Sequence, residues 1–109
     1  MATSLNRVSL IGNLGADAEL RYMTDGVPVA TFSLATTEAW KDKSGIRQEK
    51  TEWHRIVFYK GLAEVAGEYL KKGAMVYLEG KLRNREWEDK EGNKRSTTEI
   101  AGNLLKMLD

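Results

Sequence analysis

Residues Trp40 to Trp53 read WKDKSGIRQEKTEW, and the pattern of this stretch recurs later in the chain. From Trp87 the sequence reads WEDKEGNKRSTTEI, which repeats Trp-x-Asp-Lys-x-Gly and places Thr-Glu before an apolar residue at the same offset. A charged Asp-Lys-x-Gly turn between two strand-like runs is typical of a β-hairpin. The repeat therefore predicts two long hairpin arms, each with a tryptophan at its base.

Strand-like runs predict further strands around these arms. The predicted strands cover residues 7–11, 27–37, 51–60, 74–87 and 97–108. A single helix is predicted between the third and fourth of them, which gives the order β-β-β-α-β-β. In a chain of this size, that order predicts a mainly β protein, a five-stranded Greek-key barrel of the OB-fold type.

Residues 61–72 predict the helix. Apolar residues at helical spacing form one stripe, which consists of Leu62, Val65, Ala66, Tyr69 and Leu70. We expect Lys71 and Lys72 in the last turn, where cations interact favourably with the helix dipole, and Gly73 just beyond it.

Length and residue types exclude several classes of protein. The 109 residues predict one domain, residues 1–109, with no cysteine for a disulfide or a thiolate metal site. No apolar run is long enough to span a bilayer and no charged-then-apolar leader precedes the first strand, so we expect a cytoplasmic protein. No P-loop, GxGxxG or HExxH motif is present, so we expect no enzymatic activity, no metal and no cofactor.

Charge is unevenly distributed along the chain. The formal net charge is only +1, yet residues 41–60 carry six Lys or Arg against three acidic residues. Residues 1–40 carry two basic residues against four acidic ones. This asymmetry permits a positive groove on a nearly neutral protein.

Two predicted strand faces combine aromatic rings with cations. Trp53, Arg55 and Tyr59 share one side of the third predicted strand because side chains alternate along a strand. One side of the fourth carries Lys81, Arg83, Arg85 and Trp87. Rings stack on unpaired bases and cations contact phosphates, so this pattern favours binding of a single-stranded nucleic acid. Two alternatives are that Trp53 and Tyr59 lie in the core with Arg55 at its rim, and that the arms are ordinary mobile loops.

The opposite side of the third predicted strand has apolar residues between Glu52 and Lys60. It carries the only histidine, His54, with Ile56 and Phe58. No acid or nucleophile lies at a spacing that would make His54 catalytic. We therefore expect this side to contact another subunit; the alternative is that His54 is a structural residue whose hydrogen bonds are satisfied within the chain.

The chain resembles the bacterial single-stranded DNA-binding protein family, SSB, over nearly its whole length. Matching segments occur in order and at matching spacing, and they are Gly12-Asn-Leu-Gly15, Leu20-Arg-Tyr-Met23, Leu34-Ala-Thr-Thr, Thr51-Glu-Trp-His-Arg55, Leu62-Ala-Glu-Val, Glu68-Tyr-Leu-Lys-Lys-Gly73, Tyr77-Leu-Glu-Gly80 and Met107-Leu108. The resemblance implies sequence-independent binding and protection of single-stranded DNA in replication, recombination and repair. It also implies a homotetramer around which the DNA wraps.

The resemblance also implies roles for particular residues. Positions of base stacking match Trp40, Trp53, Tyr59 and Trp87. Phosphate contacts match Arg21, Arg55, Lys72, Arg83 and Arg85, to which we add Lys43 in the first arm. The expected subunit interface contains His54, Ile56 and Tyr77. Glu86 stands where a basic residue is frequent in the family, so we expect no phosphate contact there.

The resemblance leads to one further expectation, and two alternatives to it are open. Family members usually continue into an acidic tip that recruits other proteins, and we expect no such recruitment by a chain that stops at Asp109. A primosome-type paralogue is an alternative, but we would not expect it to keep Trp40, Trp53 and Trp87. An RNA-binding OB domain is a second alternative, which competition between single-stranded DNA and RNA would decide.

Overall fold

A computed structural model describes residues 3–109 of this protein. It contains six strands and one helix, which are β1 Val8–Leu14, β2 Glu19–Tyr22, β3 Pro28–Lys41, β4 Arg47–Tyr59, α1 Lys60–Tyr69, β5 Met75–Glu88 and β6 Lys94–Met107. The short strand β2 was not predicted, and it pairs with β3 outside the barrel. Within the described residues, no helix is long and apolar enough to cross a membrane.

The other five strands close on themselves. Their order is β1-β5-β6-β4-β3, and β3 returns to β1 through the pairs Asn13↔Ala35 and Leu14↔Leu34. All pairings are antiparallel except that of β4 with β6, where Ile56 pairs with Ile100. A closed five-stranded barrel with one helix between its third and fourth strands confirms the predicted OB-fold.

The barrel interior is filled by large apolar side chains. Leu34, Ile56, Phe58, Val76 and Leu78 are fully buried within this single chain. The expectation that Ile56 lies at a subunit interface is therefore wrong, and the same holds for Phe58. Strand alternation correctly separates the two faces of β4. It does not distinguish burial inside the barrel from burial against another subunit, and here Ile56 and Phe58 pack inside the barrel.

Helix α1 closes one end of the barrel, and it is shorter than predicted. Its small residues Ala63 and Ala66 are fully buried, which lets the helix lie close to the strands. The helix ends at Tyr69, so Lys71 and Lys72 follow it in a turn rather than forming its last turn. Tyr69 was predicted in the buried stripe, but its side chain lies at the helix end and is 56% exposed.

Glycine at position 102 is required by the tight approach of β6 to the core. A Cβ atom there would lie 2.3 Å from Cε1 of the buried Phe58.

We predict that Gly102→Ala destabilises the protein by about 1–3 kcal/mol, the usual cost of overpacking a core. Thermal or urea unfolding measures this. Gly61→Ala is the control, since a Cβ atom there meets nothing within 4 Å and alanine favours a helix. Equal stability of the two variants would contradict the packing described.

Candidate nucleic-acid interface

The two repeated sequences form two arms with the same turn. In the β3–β4 arm the amide of Gly45 donates to the carbonyl of Asp42 at 3.0 Å, and in the β5–β6 arm Gly92 donates to Asp89 at 3.1 Å. Both glycines have positive φ, 79° for Gly45 and 82° for Gly92, which explains why the repeat keeps glycine there. The predicted hairpins are thus present, with matching geometry.

Each turn is organised by the carboxylate of its aspartate. Oδ1 of Asp42 accepts backbone amides from Ser44 and Ile46, each at 2.9 Å. Oδ1 of Asp89 accepts the equivalent amides of Glu91 and Asn93, also at 2.9 Å. The hydrogen bond from Ile46 is the main cause that lowers the pKa of Asp42, and the one from Asn93 is the main cause for Asp89. Because the ionised form accepts these bonds, the turns favour charged aspartates.

The outward face of β4 carries the predicted ring and cation residues. The side chain of Trp53 is 59% exposed, that of Arg55 is partly exposed and Tyr59 is half-buried. A Cβ atom on Gly15 would lie 2.6 Å from Cζ3 of Trp53, so the indole lies directly against the glycine backbone. The alternative that Trp53 is a core residue is therefore wrong.

A groove runs along this face. A cavity of about 280 Å³ is lined by Arg21, Tyr22, Met23, Val29, Thr31, Arg55 and Tyr59. A second cavity of about 170 Å³ shares Val29, Thr31, Arg55 and Tyr59 with the first and extends towards Arg85 and Glu99. Basic and aromatic side chains thus surround an apolar floor, which suits a ligand with flat bases and charged phosphates.

Sequence reasoning missed one residue of this face, Glu99 on β6. Its side chain is only 2% exposed, and it is the one buried charged side chain among residues 3–109. Its carboxylate lies 2.6 Å from Nη2 of Arg83, 3.4 Å from Nε of Arg55 and 3.7 Å from Nε of Arg85. The hydrogen bond to Glu99, followed by that to the Tyr59 hydroxyl, raises the pKa of Arg83. The only signal in the sequence that could have pointed to Glu99 was the Thr-Glu pair that occurs in both copies of the repeat.

The remaining predicted stacking residues lie on the arms. Trp40 on β3 and Trp87 on β5 are both exposed, and Nε1 of Trp87 donates to Oγ1 of Thr97 at 2.9 Å. Lys43 lies exposed in the turn of the first arm. These residues extend beyond the groove and do not line its two cavities.

Two predicted phosphate contacts lie in different settings. Arg21 lines the larger cavity, and its Nε is 2.8 Å from Oε1 of Glu19 in an exposed ion pair. Lys72 lies in the turn after α1, where its backbone amide donates to Oδ1 of Asp17 at 2.8 Å. Lys72 lines neither cavity, so the groove does not bring it together with the arginines.

Two predicted interface residues are accessible to a partner. His54 is half-buried, and its Nε2 lies 2.8 Å from Oγ1 of Thr36 on the adjacent strand. Tyr77 on β5 is half-buried and donates its hydroxyl hydrogen to Glu79. Tyr77 pairs across the sheet with Ile11, whose side chain is 58% exposed.

Comparison with known proteins establishes the family. Residues 5–108 match the sequence profile of the single-strand binding protein family. The chain belongs to this family. It is 62% identical over 106 residues to single-stranded DNA-binding protein 1 of Xylella fastidiosa, covering 96% of this chain and 78% of that protein. It is 53% identical over 105 residues to the single-stranded DNA-binding protein of Neisseria meningitidis, covering 96% of this chain and 60% of that protein.

Solved structures are similar over the whole chain. The Plasmodium falciparum SSB in complex with single-stranded DNA has a TM-score of 0.87 and 38% identity, with 100% of this chain and 99% of that chain covered. A deletion mutant of the Thermus aquaticus single-stranded DNA-binding protein has a TM-score of 0.85 and 35% identity, with 100% and 53% covered. The family consists of DNA-binding proteins rather than enzymes, as predicted from the missing catalytic motifs.

Acid should loosen both arm turns. Because the folded-state pKa of Asp42 and Asp89 is below the ordinary 3.8, their stabilisation is complete above that value and is lost as the pH falls through the lowered pKa. We predict that the amide resonances of Ser44, Ile46 and Asn93 move towards random-coil positions in that range, as followed by NMR. Asp42→Asn should remove the titration of the first arm only. Amides that do not respond would contradict the role of these carboxylates.

Proposed function

We propose that this chain binds single-stranded DNA without reading its base sequence. The observation that carries this proposal is the outward row on β4, in which Arg55 and Tyr59 line the groove and the exposed ring of Trp53 lies on the same side of the strand. Every base has a flat face and every nucleotide has a phosphate, so a surface of rings and cations can bind any sequence. The names of the relatives, and the single-stranded DNA bound to the Plasmodium protein, support the same ligand.

Four aromatic side chains are our candidates for base stacking. Tyr59 would hold a base in the groove and Trp53 would hold one beside it on the same side of β4, while Trp40 and Trp87 would hold bases along the two arms. The exposure of all three indoles supports this assignment, because exposed tryptophan is uncommon on a surface that binds nothing. The two arms would then extend the path of the strand beyond the barrel.

Basic side chains would contact phosphates along the same path. We assign this role to Arg21, Lys43, Arg55, Lys72 and Arg85, which are all partly or fully exposed. Arg83, the sixth residue predicted for this role, differs because its guanidinium is already bonded to Glu99 and Tyr59.

We further propose that four copies of the chain assemble and that DNA wraps around them. Ile11, Tyr77 and Met75 share the outer side of β1 and β5, and they leave apolar surface that a symmetric contact would cover. His54 would contribute to a contact between subunits as well. A protein of this kind would protect single strands in replication, recombination and repair, at the nucleoid in the bacterial cytoplasm.

The direct test of DNA binding is tryptophan fluorescence during titration with oligo(dT). We predict strong quenching, because the indoles would lie against bases, and we predict that Trp53→Ala weakens binding by roughly 5- to 150-fold. This range corresponds to a stacking contribution of about 1–3 kcal/mol. Tyr69→Ala is the control, since this exposed ring lies on the helix and lines neither cavity of the groove. Unchanged emission at saturating DNA would refute the proposal.

Light scattering tests the proposed assembly. We predict a mass of about four times the 12.3 kDa of one chain at micromolar concentration. His54→Lys should promote dissociation, because it would place an unpaired charge in a desolvated contact. DNA affinity should then fall mainly at low protein concentration, through mass action. A wild-type mass of one chain would exclude the tetramer, whereas DNA binding by that single chain would leave the first proposal intact.

A further inference from the structure

Glu99 is the one charged residue whose side chain is buried in the described part of the chain. Removal of a carboxylate from water is unfavourable unless partners compensate for it, yet Glu99 is only 2% exposed. Its three arginine partners come from two strands, Arg55 from β4 and both Arg83 and Arg85 from β5. The cluster retains two net positive charges and borders the groove, so the carboxylate organises cations rather than neutralising them.

The atoms that meet Glu99 differ among the arginines. Arg55 and Arg85 approach it through Nε, at 3.4 and 3.7 Å. Within residues 3–109, the Nη atoms of these two side chains make no hydrogen bond. An arginine held at Nε keeps its terminal amino groups available, and these can donate to a phosphate in the bidentate geometry that guanidinium favours.

Arg83 is bound differently. Its Nη2 donates to Oε1 of Glu99 at 2.6 Å and also to the hydroxyl of Tyr59, while its guanidinium carbon lies 5.2 Å from the centre of the Tyr59 ring. Its side chain is also the least exposed of the three arginines. Arg83 therefore links the buried carboxylate to the aromatic ring in the groove.

We infer that Glu99 is a positioning residue for the binding of single-stranded DNA. It presents Arg55 and Arg85 to phosphates and, through Arg83, fixes the ring of Tyr59 for stacking. Arg83 is thus a structural link and not a phosphate contact. This inference rests on the proposed function and deepens it.

Such an arrangement orders the arginine side chains before DNA binds. A free arginine side chain samples many rotamers and loses that freedom when it binds a phosphate. Arg55 is already hydrogen-bonded to Glu99 at one end and Arg85 is ion-paired with it, so less freedom remains to be lost. Because Glu99 is buried, an incoming phosphate meets the exposed Nη groups and not the carboxylate.

Salt dependence tests the division of roles among the arginines. Each phosphate contact on a single strand contributes about −0.7 to the slope of log affinity against log salt. Arg55→Ala and Arg85→Ala should each make the slope shallower by about that amount. Arg83→Ala should weaken oligo(dT) binding but leave the slope unchanged. A slope change for Arg83→Ala equal to that for Arg85→Ala would overturn the inference, and this test does not require any change of Glu99.

A double-mutant cycle tests Glu99 itself. We predict that Glu99→Gln weakens oligo(dT) binding by at least about fivefold in the wild-type background, within the range observed for coupled residues. The loss should be markedly smaller in the Arg55→Ala/Arg85→Ala background, where only the link to Tyr59 remains. Equal losses in both backgrounds would overturn the inference, since a general effect on folding would give that result.

The repeat supplies a matched control. Glu52 occupies the same position in the first copy of the repeat, but it is exposed and lies 3.3 Å from Lys50. Glu52→Gln removes the same charge without removing a buried anchor, so its effect on affinity should be small. If wild-type protein fails to bind oligo(dT), the proposed function fails. If it binds but the cycle shows no coupling, only the role of Glu99 fails.

Discussion

The burial of Ile56 and Phe58 is the constraint on which the rest of the binding face depends. Both side chains are fully buried, so β4 cannot shift by one residue without exposing them. Because side chains alternate along a strand, this burial turns Trp53, Arg55 and Tyr59 outward. The same residues that stabilise the barrel therefore determine which side chains reach a ligand.

Closure of the barrel adds the second part of the site. The parallel pairing of Ile56 with Ile100 brings Glu99 beside Arg55, and the antiparallel pairing of β5 with β6 places Arg83 opposite Glu99. Cations from two strands thus converge on one buried carboxylate beside the groove. A binder without base specificity needs rings and cations at fixed positions, and the closed sheet supplies these positions from its backbone register.

Local sequence patterns predicted the arms, the barrel and the exposed face of β4, because turns and strand alternation are local properties. They did not predict that the opposite face of β4 lies inside the barrel and not at a subunit contact, so Ile56 was assigned wrongly to an interface. Local sequence patterns did not predict the burial of Glu99 either. Glu52 and Glu99 follow the same repeat, yet only Glu99 is buried, since only it lies where the barrel closes and three arginines meet.

Photo-crosslinking with oligo(dT) that carries 5-iodouracil, followed by mass spectrometry of the peptides, tests most directly whether the outward face of β4 is the binding surface. We predict crosslinks at Trp53 and Tyr59 on this face, and at Trp40 and Trp87 on the arms. Ring exposure alone does not predict this pattern, because Tyr69 is about as exposed as Trp53. Crosslinks concentrated at Tyr69, with none at Trp53, would show that the DNA binds elsewhere than on this face.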